Sequence, residues 1–453
     1  MFDELNKPPV DPDPTPCIFV TGGAGYIGSN TVLEILLKKR ESNNSDWEVV
    51  VVDNLRNSNT ASLVITQKLA QQKILAFHQV DLLDLTAVQT IFRLHPNVWA
   101  VIHFASLKSV AESCANPLLY YNINLKSVLN VLSCANERIT SNRNNRDFMF
   151  IFSSSACVYG DSLDHLEYNF RKGQMMGATE ECLTKPKSPY GKTKQFSEDM
   201  IRDICKQYAS LKSSPDSGDN GSGMMKAAIL RYFNPVGAHS SGHLGEYNNQ
   251  EPENLVPVVT RLVRRLRDAP AEFQGAVKIF GSDWPTPDGS AIRDYLHISD
   301  LAKSHVCALE RLKTLKEPDA PNPTLTDPWN CLTFNIGCGE GKSVKEVVAM
   351  IEKVSGIKIP TVMSERRAGD IGIAISNPSK AFQELNWKTE KSFEDMCRDA
   401  WKFELSCTYQ KTSLSKVANG RTDEADAVGA YLKERSGVKD GTDFAVAAAA
   451  ELH

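Results

Sequence analysis

Tyr190 and Lys194 stand at i and i+4 in the run Tyr190-Gly191-Lys192-Thr193-Lys194. On a helix that spacing puts both side chains on one face. A free phenol titrates near ~10, and a neighbouring ammonium favours the phenolate, so the pair can supply a base at neutral pH. Pro189, just before, suits the first turn of a helix. Taken alone, the spacing is also that of an ordinary exposed helix face. A second group gives it context: Phe152-Ser153-Ser154-Ser155-Ala156-Cys157-Val158-Tyr159-Gly160 follows an apolar run. Hydroxyls at the carboxyl end of a strand point into the ligand crevice of a parallel sheet. Ser155 can therefore hydrogen-bond both a substrate hydroxyl and Tyr190. Cys157 has no basic partner to activate it and reads as a small core residue.

A third group is Thr21-Gly22-Gly23-Ala24-Gly25-Tyr26-Ile27-Gly28, which contains both G-x-x-G-x-x-G and G-x-G-x-x-G. Glycines there allow a tight turn and a close backbone approach to a pyrophosphate, and Gly28 lets the next helix pack on the strand. An apolar run precedes the glycines, a helical pattern follows, and Asp53 ends the next apolar run. A carboxylate at that point takes adenosine ribose hydroxyls and repels a 2′-phosphate, which favours NAD over NADP.

The elements that must position these groups are legible as alternation. Cys17 to Val20 is a short apolar run, Ile27 to Lys39 has a helical period, and Val49 to Val52 is a β-branched run suited to burial on both faces. Apolar runs recur near 74–80, 98–104 and 148–152, with helical patterns at 117–136 and 190–209. Alternating strands and helices mean βαβ units and a parallel sheet with helices on both faces. The alternation loosens after about 235, where helical stretches at 254–267 and 300–313 flank a Pro/Gly/Asp-rich loop at 281–290. The expected fold is a Rossmann-like doubly wound α/β domain over 17–235 plus later crossing segments. A smaller C-terminal α/β substrate-binding lobe is expected mainly over 236–405. A disordered N-terminal extension (1–16), a C-terminal extension (406–453) and solvated insertions at 138–147, 212–223 and 315–328 complete the plan.

Composition bounds the function. The chain has 453 residues, 42% of them apolar and 23% charged, enough for a sizeable core. The formal charge of −4 lacks the footprint of a general nucleic-acid binder. No apolar run approaches the ~20 residues that span a bilayer. The eleven cysteines form no C-x-x-C pair, so no metal site is expected and reduced thiols in a cytoplasmic protein are. The acidic, Pro-rich start has neither the basic nor the apolar region of a secretory signal.

The three groups together resemble the extended branch of the short-chain dehydrogenase/reductase family. Further runs narrow the likeness to the UDP-glucose (UDP-galactose) 4-epimerases. They are Val101-Ile102-His103-Phe104-Ala105-Ser106-Leu107-Lys108-Ser109-Val110, Arg231-Tyr232-Phe233-Asn234-Pro235-Val236-Gly237-Ala238 and Asn254-Leu255-Val256-Pro257. Lys278-Ile279-Phe280-Gly281, Asp288-Gly289, Arg293-Asp294-Tyr295-Leu296-His297 and Arg366-Arg367-Ala368-Gly369-Asp370 follow in order, so the likeness covers about 17–405.

The resemblance implies reversible, redox-neutral 4-epimerisation of UDP-glucose and UDP-galactose through a 4-keto sugar, with NAD as cofactor, in galactose metabolism. It makes Tyr190 the base at the sugar 4-hydroxyl and has Ser155 support proton transfer. Lys194 would hold the nicotinamide ribose and depress the Tyr190 pKa. Gly22, Gly25, Tyr26, Ile27, Gly28, Asp53, Asn54, Asp81, Leu82, Phe104, Ala105, Lys108 and Phe233 match NAD contacts. Asn234, Asn254, Leu255, Lys278, Phe280, Arg293, Tyr295, Arg367, Asp370 and Ala374 match the UDP-sugar site. Two arginines suit a diphosphate, and amides suit a uracil or ribose edge. Without the ordered motifs, Arg293 beside Asp294 would read as a local ion pair, Arg366-Arg367 as a solvated turn, and Lys108 as a surface lysine. His103 and His297 read as packed residues. A homodimer through helices near 117–136 and 190–209 is carried over by analogy.

Two positions depart from or refine the pattern. Ser106 stands where the bacterial pattern often has Gly. Ala374 is small where a Tyr goes with plain hexoses, which implies room for the N-acetyl group of UDP-GlcNAc and UDP-GalNAc. A 4,6-dehydratase would need an acid/base pair beside the serine, which Ala156 and Cys157 cannot supply. A catalytically dead NAD-binding sensor or scaffold is the reading from another class, and the intact Ser155, Tyr190 and Lys194 count against it.

Overall fold

The computed structural model of the chain describes residues 14–42, 47–141, 146–160, 168–169, 174–175, 177–212, 223–247, 252–269, 275–316, 328–367 and 370–418. Residues 1–13 of the expected N-terminal extension, 142–145, 213–222 and 317–327 of the expected insertions, and the tail beyond 418 lie outside them.

Seven parallel strands form the main sheet: β1 (Cys17–Thr21), β2 (Glu48–Asp53), β3 (Ala76–Gln79), β4 (Val98–His103), β5 (Phe148–Ser155), β8 (Met225–Tyr232) and β12 (Cys331–Ile336). A small hairpin of β6 (Tyr168–Asn169) and β7 (Gln174–Met175) lies between β5 and β8 in sequence. The sheet order is β3-β2-β1-β4-β5-β8-β12, so the winding reverses between β1 and β4 and opens a crevice at their carboxyl ends.

Alternate residues of each strand feed two cores. Ile18, Val20, Val49 and Val51 face helices α1 (Tyr26–Glu41), α2 (Ala61–Ala70) and the later α9 (Ile298–Thr314). Cys17, Phe19, Val50 and Val52 face α3 (Leu85–Leu94), α6 (Lys126–Ser141) and α7 (Pro189–Lys212). Burial on both faces is why these strands read as continuous β-branched and aromatic runs.

The helix expected over 117–136 is interrupted and longer. After α4 (Val110–Ala115) and the single turn α5 (Pro117–Tyr120), a π-helical turn spans Tyr121–Leu125 before α6. The cause is Asn124, which is buried and accepts from Leu107 N at 2.8 Å while donating to Leu107 O and Thr193 Oγ1, both at 3.1 Å. Such a bulge re-aims one side chain, and bulges of this kind are frequent at functional sites. The helix also continues to Ser141, four residues into the expected 138–147 insertion.

The second lobe is built on β11 (Ile292–His297). It pairs in parallel with β9 (Asn234–Val236) and β15 (Ile373–Ala374), and antiparallel with β13 (Gly341–Ser343). Beside it, β10 (Val277–Phe280) pairs with β14 (Thr361–Ser364). Helices α8 (Leu255–Asp268), α10 (Val344–Ser355) and α12 (Phe393–Ala418) close a separate core around Val259, Ile351, Cys397 and Trp401. α11 (Ser379–Glu384) and α9 return to the main sheet. α12 runs through the 405/406 division expected from sequence. Among the described residues no helix is long and apolar enough to cross a membrane.

Candidate active site

The glycine turn follows β1 at the reversal point of the sheet. Gly22 has φ +69°, and a Cβ there would meet Ala105 N at 2.7 Å. A Cβ on Gly28 would lie 2.2 Å from Gly22 O, so only glycine lets α1 start this close to its own strand. Gly25 caps α1 without a side-chain bond and the first turn carries no acid, so its N–H groups remain open to an anion. Asp53 closes β2 next to this turn, accepting from Ala24 N at 3.0 Å, Leu55 N at 2.9 Å and Ser58 Oγ at 2.9 Å. Asn54, Arg56, Gln79 and Asp81 line an open hollow of about 540 Å³ beside it. Asn54 Nδ2 donates to Asp81 Oδ2, and buried Leu82 is held through its carbonyl by Asn130. An uncapped helix start, a cradle that a Cβ would fill and a fixed carboxylate beside a roomy hollow fit a dinucleotide with free ribose hydroxyls. Tyr26 OH donates to Gly237 O at 2.8 Å, tying α1 to the second lobe. Phe104 and Ala105 follow β4 at the crevice, and Lys108 forms an ion pair with Glu246. Ile27 packs against the first core.

Ser155 ends β5 with its Oγ accepting from Cys157 N at 3.2 Å. Tyr190 is the second residue of α7, whose start is capped by Ser188 Oγ accepting from Gly191 N at 3.1 Å. Lys194 is buried one turn on, and its Nζ donates to Ser106 Oγ at 3.0 Å and Ser153 O at 2.7 Å. The three residues expected from sequence are thus brought together, and Ser155 is the group that draws the Tyr190 pKa down.

Burial works against the charged form of both members of the pair. Burial, with the Cys157 thiol adding to it, pushes the Tyr190 phenol well up, while Ser155 draws it down. Lys194 Nζ lies 5.8 Å from the Tyr190 ring centroid and donates to Ser106 and Ser153, and burial lowers its own pKa to about 7. Cys157 is likewise pushed up by burial and is no nucleophile at neutral pH.

The second lobe presents its residues at the same crevice. Arg293 on β11 donates to Ile292 O at 2.9 Å and lies within electrostatic reach of Cys157, Tyr295, Asp370 and Arg367. It makes no ion pair with Asp294: that carboxylate accepts from Cys338 N, Gly339 N, Ser376 N and Ser376 Oγ. Burial still raises Asp294 to about 6. Arg367 is held by Asp370 at 3.0 Å with its guanidinium 4.8 Å from the Phe280 ring centroid. Asn234 Nδ2 donates to Asp294 O at 3.2 Å, leaving its carbonyl oxygen available. Asn254 begins α8 without a side-chain cap bond, so its amide is exposed, with Leu255 half-buried beside it. Lys278 is exposed on β10, whereas Tyr295 is buried in the second-lobe core. Ala374 and Phe233 are buried together with Val158 and Tyr159. His103 is packed as expected, stacked against Phe150 and Phe152 and bonded to Thr21.

Sequence reasoning missed the frame behind these groups. Ser154 donates to Glu198 Oε1 at 2.5 Å, and Arg231 grips the same carboxylate from Nε at 3.0 Å and Nη2 at 2.7 Å. Burial opposes the Glu198 charge, yet Arg231, Arg202 and Ser154 outweigh it and hold the pKa low. The signal was present: Glu198 lies four residues past Lys194, on the face that carries Tyr190. Asn124 had no such signal, since its partners Leu107 and Thr193 are remote in sequence.

The NAD dependent epimerase/dehydratase family matches residues 18–322. UDP-glucose 4-epimerase 2 of Arabidopsis thaliana is 39% identical over 400 residues, 88% of this chain and 97% of that protein. The crystal structure of UDP-glucose-4-epimerase from Stenotrophomonas maltophila, with bound NAD and formylated UDP-arabinopyranose, superposes with a TM-score of 0.69 at 32% identity, covering 87% of this chain and 99% of that one. That of UDP-glucose 4-epimerase from Bifidobacterium longum, with NAD+ and UDP, gives 0.68 at 33%, covering 86% and 98%. With its glycine cradle, its Ser155–Tyr190–Lys194 cluster and this likeness over most of its length, the chain is an enzyme that belongs to the NAD-dependent epimerase/dehydratase family.

Proposed function

We propose that the chain interconverts UDP-glucose and UDP-galactose by inversion at C4, in the cytoplasm and as a step of galactose metabolism. The observation that carries the reading is the meeting of Ser155, Tyr190 and Lys194 at the crevice into which the second lobe brings Arg293. Bound NAD would supply reversible oxidation at the sugar carbon and a positive charge to the site. Tyr190 takes the 4-hydroxyl proton and returns it, and Ser155 bridges phenol and sugar oxygen. Burial sets the phenol against ionising, so the charge of Lys194 and of the loaded site must offset it. Arg293 and Arg367 neutralise the diphosphate, and Asn234 and Asn254 offer amide groups to the nucleoside. Because the redox change cancels over a cycle, the cofactor need not leave, and the Tyr26–Gly237 and Lys108–Glu246 ties across the lobes suit a retained one.

Elimination of water from the sugar is disfavoured: Ala156 and Cys157 follow Ser155, and the buried thiol is a poor acid or base. The small Ala374 further supports turnover of UDP-GlcNAc and UDP-GalNAc. The exposed apolar side chains Val110, Leu118, Leu129 and Phe196, on α4 to α7, support a homodimer. The test is proton NMR of the anomeric signals of UDP-galactose and UDP-GalNAc, incubated separately with purified protein and no added cofactor. Conversion of UDP-galactose is the expected result. Retained NAD with no conversion of any UDP-sugar would overturn the reading in favour of an inactive NAD-binding protein.

A further inference from the structure

Ser106 lies in the loop after β4, next to Ala105, the residue that packs on the glycine turn. Its hydroxyl oxygen accepts from Lys194 Nζ at 3.0 Å, and the carbonyl of Ser153, inside β5, accepts from the same nitrogen at 2.7 Å. An ammonium carries three hydrogens in fixed directions. Two acceptors from two different strand ends therefore settle where the third one points, without help from any ligand. The nearest acid along α7, Glu198, is occupied by Arg231, Arg202 and Ser154. Neutral oxygens are thus what the described structure offers the ammonium directly.

The Ser106 loop is itself fastened to α7. Asn124 bonds both backbone groups of Leu107 and also Thr193, the residue before Lys194. The distance from Ser106 to Lys194 is therefore set by packing rather than by a free loop. A glycine at 106 would leave the ammonium on Ser153 alone.

We propose that Ser106 is a positioning residue for Lys194: its hydroxyl orients the ammonium within the crevice and favours the charged form. An acceptor hydrogen bond stabilises the ammonium over the amine, against the burial that opposes the charge. The role in turnover rests on the epimerase reading above, since a charged Lys194 is what assists Tyr190.

The experiment compares wild type with Ser106→Ala, Ser106→Gly and Ser106→Thr, all purified with the NAD they retain. The Lys194 Nζ signal of 15N-lysine-labelled protein, identified by its loss in Lys194→Arg, is titrated with pH. The expected midpoint falls by about one pH unit in the Ala and Gly variants, the size of one charge-assisted hydrogen bond, and returns in Thr. The alkaline limb of kcat against pH for UDP-galactose moves down by the same amount. An unchanged midpoint in Ala and Gly, or an equal fall in Thr, would overturn the proposal. If the wild type does not convert UDP-galactose, the epimerase reading fails, while the titration still decides the role of Ser106.

Discussion

At the scale of single residues, the proposed chemistry rests on a phenol whose burial opposes ionisation. Tyr190 is set against ionisation by burial, and Ser155 works the other way. Tyr190→Phe should therefore lower kcat by about 10²–10⁴, the usual worth of a positioned base, with the melting temperature and retained NAD unchanged. A kcat within twofold of wild type, followed by the same NMR assay, would remove Tyr190 from the mechanism. Ala374 carries the proposed choice between the sugars. It is buried beside Phe233 and one strand pairing away from Arg293. Ala374→Tyr should abolish conversion of UDP-GalNAc and leave that of UDP-galactose within a few-fold, because an added ring removes volume that only the N-acetyl group needs. Equal loss on both sugars would mean that the residue supports packing and not choice of substrate. Both residues were legible in the sequence, as was Lys194. The partners of Lys194 were not: Ser106 is 88 positions away and Ser153 is 41.

At the scale of elements, α7 does two jobs with one face. Tyr190 and Lys194 reach the crevice, and Glu198, Ile201 and Cys205 continue the same face into the core. Glu198 joins α7 to β5 through Ser154 and to β8 through Arg231. That ion pair is fully enclosed, so removing one partner leaves a charge with no water to solvate it. Glu198→Gln should cost about 3–5 kcal/mol in urea unfolding, and the double change Glu198→Gln with Arg231→Met should cost less than Glu198→Gln alone. A loss below ~1 kcal/mol for the single change would show the pair to be better solvated than this packing allows. The π-helical turn at Tyr121–Leu125 belongs to the same scale. Helical periodicity predicted a plain helix there, and the interruption arises because Asn124 serves a loop and a second helix at once.

At the scale of the whole molecule, two lobes meet over the crevice. The winding order places the glycine turn, the end of β4 and the end of β5 side by side, and the second lobe supplies cations from β11 and from the segment after β14. The α4 to α7 side carries exposed apolar residues: Leu118 is 81% exposed, with Val110, Leu129 and Phe196 near half. A patch of this kind is costly to leave in water. Sedimentation of the wild type should give a dimer, and Leu118→Asp with Phe196→Asp should give a monomer that keeps its fold. A wild-type monomer would leave that face for another partner.

The sequence by itself determined the sheet, its two-sided burial, the glycine cradle and the groups proposed to react. Those follow from local rules: apolar period, turn chemistry, and spacing along one helix face. Tertiary structure decided what those groups experience. Burial sent the Tyr190 and Lys194 pKa values in the directions that oppose their charged forms, and remote residues supplied the hydrogen bonds that set their geometry. Asp294 shows the difference most plainly. Its neighbour in sequence is Arg293, yet its four donors come from residues 338, 339 and 376, because a buried carboxylate takes whichever N–H and O–H groups the fold brings to it.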